Sequence, residues 1–127
     1  PWQDEALCEY AMLRYVRARY GQGSFETLRH YRVDEPLREA LPALTPASPL
    51  DYFSTLHDYT AVVYGRGAAL ALALEEALPG GVDAFLRAYV EKFAFAYVSR
   101  ADCEDFLCQY AGMDLRPLLL DYLDTLM

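Results

Sequence analysis

The sequence has few basic residues: 11 Lys and Arg stand against 19 Asp and Glu, which gives a formal net charge of −8. Asparagine and isoleucine are absent and lysine occurs once, a bias that we attribute to genome composition. Because nucleic-acid binding requires basic patches, we expect no nucleic-acid partner. No apolar run reaches the roughly 18 residues of a membrane-spanning helix, so no membrane span is predicted.

Several active-site motifs are also missing. The sequence has no Gly-rich phosphate loop, no Gly-x-Ser-x-Gly and no Cys/His nucleophile arrangement. Cys8, Cys103 and Cys108 form neither a CxxC motif nor an even-numbered disulfide framework, and we interpret them as small core residues. His30 and His57 lack a histidine four residues away, so we expect surface or capping residues and no helical zinc-binding pair.

The residues that are present favour a single helical domain. A chain of 127 residues can bury a modest core, and a hydrophobic content of 54% argues against disorder. No segment alternates apolar and polar residues with the period of a strand. The sequence therefore predicts an all-α fold, a bundle of about five to seven helices formed by residues 1–127.

Residues 59–78 form the longest nearly uncharged stretch, with Arg66 as its only charge before two glutamates near the end. Alanine and leucine dominate it, and both favour helices. A helix that is apolar on nearly every side must be buried on nearly every side. Gly65 and Gly67 lower its helix propensity, and we interpret them as making room for Tyr64 in a crowded place.

The first predicted helix, residues 2–20, carries two acids on an apolar stripe. At about 100° per residue, Glu5 and Glu9 lie on the same face as Met12 and Val16. A buried carboxylate without a partner is costly, so it needs a cation, a metal or a proton. Two interpretations remain open: the acids are exposed and solvated, or they lie on a surface that faces a metal.

The next segment contains a proline in a helical pattern. Residues 24–41 are predicted to form a helix with Ser24 as its N-cap. At Pro36 the helix either kinks, or a second short helix starts with Asp34 as its cap. Residues 42–49 contain three prolines and are predicted to be a surface linker.

The last third of the chain predicts three more helices. Residues 82–97 form an amphipathic pattern. Asp102 and Asp105 resemble a capping arrangement at the start of the following helix, which Gly112 ends. Asp114 is predicted to cap the last helix.

The stretch Tyr-x-x-x-Val-Tyr-Gly-Arg-Gly-Ala, which starts at Tyr59, resembles the tyrosine segment of the aminopeptidase N family of zinc metallopeptidases, which are gluzincins. That segment has a tyrosine, four residues, then Tyr-x-Lys-Gly-Ala, so Arg66 stands where lysine is usual. The resemblance implies that Tyr64 is catalytic and hydrogen-bonds the oxyanion of the tetrahedral intermediate. It also implies that Tyr59 orients Tyr64 or lines the substrate pocket.

A second match lies at the start of the chain, where Trp-Gln-Asp-Glu-Ala-Leu-Cys-Glu-Tyr resembles the family segment Trp-Leu-Asn-Glu-Gly-Phe-Ala-x-Tyr. The resemblance implies that Glu5 is the third zinc ligand and that Glu9 supports packing or the hydrogen bonds around the site. Gln3, Asp4 and Ala6 depart from the family pattern, and Ala6 restricts a close backbone approach. Weaker matches follow at residues 102–106 and 111–115.

The other two zinc ligands of the family come from a His-Glu-x-x-His motif upstream, which this sequence lacks. The chain also starts at Pro1 without a signal peptide, so we expect the downstream helical part of a larger catalytic domain, the C-terminal lobe of a thermolysin-like peptidase. Zinc and a peptide substrate would then belong to the intact parent. The fragment alone would hold no zinc and be inactive, and its exposed face would pair with the missing N-terminal half or with itself.

Two other functions remain open. The chain could be a non-enzymatic helical module that holds a peptide or a partner helix in an aromatic groove. It could also be a non-catalytic relative of the peptidases, although Glu5 and Tyr64 argue against that. The residues that precede Pro1 in the parent discriminate among these readings, because only a peptidase needs His-Glu-x-x-His there.

Overall fold

The computed structural model describes residues 2–39 and 43–125, and these residues form helices without any strand. The helices are α1 (Trp2–Tyr20), α2 (Gln22–Arg29), α3 (Glu35–Glu39), α4 (Leu56–Tyr59), α5 (Gly67–Ala77), α6 (Val82–Phe93), α7 (Arg100–Ala111) and α8 (Arg116–Leu123). π-Helical turns at His30–Asp34 and Thr60–Arg66 join α2 to α3 and α4 to α5, and a 3-10 turn covers Leu50–Tyr52. The all-α prediction is confirmed. In the described part of the chain, no helix is long and apolar enough to cross a membrane.

The central helical segment, α4 through α5, is the buried element that the sequence predicts. Val62, Val63 and Ala68 are fully buried along it. It starts at Leu56, three residues before the predicted start, because the Thr55 side chain accepts a hydrogen bond from the backbone N–H of Asp58. Its two sides contact two apolar clusters, one shared with α1 and α2 and one shared with α1, α6, α7 and α8.

The first π-helical turn lets the chain pass Pro36 without leaving the helix. The backbone N–H of Glu35 donates to the carbonyl oxygen of His30, five residues earlier. Proline has no N–H to donate, and the wider turn precedes it directly. Asp34 therefore lies inside a continuous helical segment and does not cap a new one. The predicted helix end at Leu41 lies outside the described residues.

Three predicted N-caps are wrong. The second helix starts at Gln22 and not after Ser24, because Gly21 adopts a positive φ of 93° and turns the chain straight into the next helix. Ser99, and not Asp102, caps α7: the Ser99 side chain accepts from the backbone N–H of Asp102, whose carboxylate accepts in return. Leu115, and not Asp114, is the N-cap of α8; Asp114 lies one residue earlier, where its Oδ1 accepts from the backbone N–H of Arg116 at 3.1 Å.

The proline-containing segment after α3 is not a surface linker. Its described part buries Leu44, Thr45 and Pro46. The backbone N–H of Ala47 donates to the carbonyl oxygen of Leu123 at the end of α8, at 3.4 Å. The segment therefore packs against the last helix, because its apolar side chains have a place in the core. Pro42, the predicted start of the linker, lies outside the described residues.

Arg66 is a buried cation that ties the central segment to α8. Its side chain is buried, and its Nη2 donates to the carbonyl oxygen of Asp121 at 2.7 Å. Burial lowers the pKa of the guanidinium, although Asp121 and Asp124 oppose this effect. A cation is favourable there because carbonyl groups near the C-terminal end of a helix carry partial negative charge.

A close helix contact lies between α1 and the start of α5. A Cβ atom added to Gly67 would lie 2.8 Å from the Cβ of Ala6, whereas one added to Gly65 would meet its nearest atom, the carbonyl oxygen of Arg32, at 3.5 Å. Only the first distance is shorter than van der Waals contact allows. Gly67 is therefore the glycine that the packing of α1 requires, and it compensates for the side chain of Ala6.

These distances predict opposite effects for two similar substitutions. Gly67→Ala should destabilise the chain by about 1–3 kcal/mol, because the overpacking at Ala6 exceeds the gain in helix propensity. Gly65→Ala, the matched control, should be neutral or stabilise by up to about 1 kcal/mol. Urea unfolding followed by circular dichroism measures both free energies. A Gly67→Ala variant as stable as the parent chain would contradict the packing argument.

Candidate functional site

The candidate site lies where α1 runs beside the central segment. Glu5 is half-buried on α1, and the hydroxyl of Tyr59 donates to its Oε1 at 3.2 Å, although the two residues are 54 positions apart. The Tyr59 ring packs edge-on against the Tyr64 ring, with centroids 5.7 Å apart. Phe53 packs edge-on against the other side of Tyr59 at 5.4 Å. The fold thus brings together Glu5, Tyr59 and Tyr64.

The second π-helical turn explains how the two tyrosine rings come to lie side by side. Tyr59 and Tyr64 are five positions apart, and at about 100° per residue an α-helix would place them about 140° apart. A π-helical turn joins residues i and i+5 by hydrogen bonds, so it places such residues above one another on one side. The turn Thr60–Arg66 covers the interval between the two tyrosines. The site therefore depends on this local departure from α-helical geometry.

The hydroxyl of Tyr64 remains protonated well above neutral pH. Hydrogen bonding to Glu5, then burial and the charge of Glu5, raise the pKa of Tyr64 to about 12. Partial burial and Glu5 also raise the pKa of Tyr59. Both phenols are therefore hydrogen-bond donors in this site, since an anionic carboxylate beside a phenol opposes the loss of its proton.

The two acids of α1 have different environments. Glu9 is buried and accepts two hydrogen bonds from Arg32, from Nε at 2.7 Å and from Nη2 at 3.1 Å. None of the ion pairs formed among the described residues involves Glu5. The interpretation that both acids are solvated is therefore wrong for Glu9. Its carboxylate is neutralised by Arg32, whereas Glu5 is the acid whose oxygen atoms could bind a cation.

Arg32 is the site residue that the sequence analysis missed. It lies in the first π-helical turn, 23 positions from Glu9, and no motif marks it. Its side chain is 43% exposed, and the hydrogen bond to Glu9 raises the pKa of its guanidinium. One signal could have found Arg32. An acid on an apolar stripe needs a cation, and the predicted helix of residues 24–41 contains three arginines.

The remaining titratable candidates do not join this site. Both histidines are exposed, as predicted. His57 lies 3.6 Å from a carboxylate oxygen of Glu39, and His30 packs edge-on against the ring of Tyr31. Cys8 is exposed, which contradicts its assignment to the core, while burial raises the pKa of Cys103 to about 11. Within residues 2–39 and 43–125, no group of three His, Cys, Asp or Glu side chains is placed to hold a metal ion.

The surface next to Phe53 is apolar. Leu50, Tyr52 and Leu56 are more than half exposed, and they flank Phe53 in the chain. Phe53 contacts Tyr59, so this surface continues into the row of rings that ends at Glu5. An exposed apolar surface beside a carboxylate and two phenols is a place where a partner or a substrate could bind.

No protein-family model matches this chain, and no solved structure matches it. The relation to the aminopeptidase N family therefore depends on the sequence resemblance alone.

The raised pKa of Tyr64 predicts a specific alkaline destabilisation. An unfolded tyrosine titrates near 10, so the folded chain binds this proton more tightly than the unfolded chain up to about pH 12. Its contribution to stability is complete below pH 10 and is lost as the pH rises toward 12. The free energy of unfolding should therefore fall less steeply with pH in Tyr64→Phe than in the parent chain.

The measurement is urea unfolding at a series of pH values from neutral to strongly alkaline. Tyr97→Phe serves as the control, because the side chain of Tyr97 is fully exposed and its loss should leave the pH dependence unchanged. Equal slopes for Tyr64→Phe and the parent chain would show that Tyr64 does not share a proton-dependent contact with Glu5.

Proposed function

We propose that this chain is the downstream helical lobe of a zinc-dependent aminopeptidase-like catalytic domain, where it supplies one metal ligand and one hydrogen-bond donor for peptide-bond hydrolysis. The observation that supports this most directly is the contact between Glu5 and the tyrosines of the central segment. These residues are the ones that the family resemblance selects, and two distant segments of the chain bring them together.

The residues around Glu5 fit one ligand position of a zinc site. Glu5 is half-buried, has no cationic partner among the described residues, and is oriented by the hydroxyl of Tyr59. Hydrogen bonds to a ligating carboxylate are a usual feature of metal sites. Zinc takes three or four ligands, so this chain would supply one of them and a His-Glu-x-x-His segment elsewhere in the parent would supply the others. When bound, zinc polarises a peptide carbonyl and activates water.

Tyr64 is suited to stabilise negative charge on the substrate. Its phenol keeps its proton at neutral pH, because Glu5 and burial raise its pKa to about 12. A donor held in place by the protein stabilises an oxyanion more than water does, because it needs no reorganisation during the reaction. The Tyr59 ring limits where the Tyr64 ring can lie, and the Tyr59 hydroxyl orients Glu5. Tyr59 would therefore position both functional groups.

One observation favours the alternative, a non-enzymatic interaction module. The α6–α7 connection exposes Phe95 and Tyr97 completely, and Val90 on α6 is also exposed. Phe95 has a positive φ of 61°, which is unfavourable for a bulky residue. An exposed aromatic side chain in a strained turn suits partner binding. The sequence upstream of this chain separates the two functions, since only the peptidase requires His-Glu-x-x-His.

The proposed roles predict different phenotypes for two substitutions in the parent protein. Glu5→Gln should lower both zinc content and activity, because it removes a ligand. Tyr64→Phe should retain zinc and lower kcat by about two to three orders of magnitude, as expected for the loss of one oxyanion donor. Metal analysis and peptide-hydrolysis kinetics measure both. An unchanged kcat in Tyr64→Phe would remove the catalytic assignment and leave Tyr64 as a structural residue.

The isolated chain should bind zinc weakly or not at all, because one carboxylate is a poor site for an ion that takes three or four ligands. Its melting temperature should therefore be the same with added zinc and with a chelator. Calorimetric titration with zinc checks this directly, with Glu5→Gln as the matched variant. Tight stoichiometric binding that disappears in Glu5→Gln would show that the chain contains a complete site.

A further inference from the structure

Arg32 contacts both of the elements that carry the proposed functional residues. Its guanidinium binds Glu9, which lies one turn after Glu5 on α1. Its carbonyl oxygen lies 3.5 Å from where a Cβ of Gly65 would be, and Gly65 directly follows Tyr64. Arg32 therefore binds α1 through its side chain, and its main chain lies beside the second π-helical turn.

The side-chain contact is geometrically restrictive. Two nitrogen atoms of the planar guanidinium donate to the two oxygen atoms of one carboxylate, which fixes the orientation as well as the distance of the pair. The side chain of Glu9 is only 6% exposed. A buried carboxylate that loses its partner is strongly unfavourable, so this contact cannot be exchanged for solvation without a shift of the helix. Lysine could replace the charge of Arg32 but not both hydrogen bonds.

The main chain of Arg32 also lies beside the second π-helical turn. Its carbonyl oxygen is at ordinary van der Waals distance from the position that a Cβ of Gly65 would occupy, next to Tyr64. The two π-helical turns thus pack against each other at this point. A shift of Arg32 relative to α1 would be transmitted to the turn that brings Tyr64 to the same side as Tyr59.

We propose that Arg32 is a positioning residue: by binding Glu9 with its guanidinium and supporting Gly65 with its carbonyl group, it sets the distance between the Glu5 carboxylate and the Tyr64 hydroxyl. Its importance for a reaction rests on the proposed function, but its effect on this distance does not. A residue that only stabilised the fold would lower stability without changing the contact between Glu5 and the tyrosines.

The test compares nuclear Overhauser cross-peaks between the ring protons of Tyr59 and Tyr64 and the side-chain protons of Glu5 in the isotope-labelled chain. Arg32→Gln should lose these cross-peaks while the circular dichroism spectrum stays helical. Arg29→Gln is the matched control, since Arg29 lies on the same helical segment and pairs with exposed Asp34 at 3.6 Å. The control should keep the cross-peaks of the parent chain.

A second variant covers the case in which Arg32→Gln does not fold. Arg32→Lys keeps the charge beside Glu9 but makes at most one of the two hydrogen bonds, and it should also lose the cross-peaks. Cross-peaks retained in a folded Arg32→Gln or Arg32→Lys chain would overturn the proposal. Equal loss in Arg29→Gln would also overturn it, because the effect would then not depend on the contact with Glu9.

Kinetics of the parent protein separate this inference from the proposed function. If both hold, Arg32→Gln should lower kcat by about 100-fold at unchanged KM and zinc content, as a small misplacement of a reacting group can do. The same substitution should have little further effect in a Tyr64→Phe background. A parent without peptidase activity would reject the proposed function, and the cross-peaks would still decide whether Arg32 positions the site.

Discussion

The close contact between Gly67 and Ala6 determines where α1 lies against the central helical segment. No atom larger than hydrogen fits at Gly67, because a Cβ there would lie 2.8 Å from that of Ala6. The same approach brings Glu5, the residue before Ala6, to the hydroxyl of Tyr59 on the central segment. The missing side chain of Gly67 therefore permits the hydrogen bond between Tyr59 and Glu5 next to it. Both apolar clusters pack around α1 and the central segment.

The cost of burying charge explains why the two acids of α1 differ. Glu9 is buried, so its carboxylate needs a cation with matching geometry, and the guanidinium of Arg32 provides it. Glu5 is only half-buried and is satisfied in part by a phenol, which leaves its charge uncompensated by any described residue. The carboxylate of Glu5 can therefore still bind a cation, whereas the paired carboxylate of Glu9 stabilises the fold.

Periodicity and motif identified much of this protein in advance. The uncharged stretch that includes Val62 and Val63 is buried, and Glu5 and Tyr64 lie together. One cause of the failures is that regular α-helical geometry was assumed where the backbone departs from it. Gly21 starts a helix earlier than Ser24 could, and π-helical turns appear where the analysis expected a kink or nothing at all. Leu44 and Pro46 were assigned to the surface because their segment is rich in proline, although their apolar side chains are buried.

The sequence by itself determined the helical class and the buried central segment, because composition and local periodicity act over a few neighbouring residues. The candidate residues Glu5, Tyr59 and Tyr64 came from the family resemblance. The tertiary structure alone decided that Arg32 pairs with Glu9 and that the Tyr59 hydroxyl reaches Glu5 with the Tyr64 ring beside it. The pair of Arg32 and Glu9 depends on a contact across 23 positions. The placement of the two tyrosines depends on the π-helical turn Thr60–Arg66. Neither property is encoded in the spacing of residues along one helix, since both require that a second element already lies beside it.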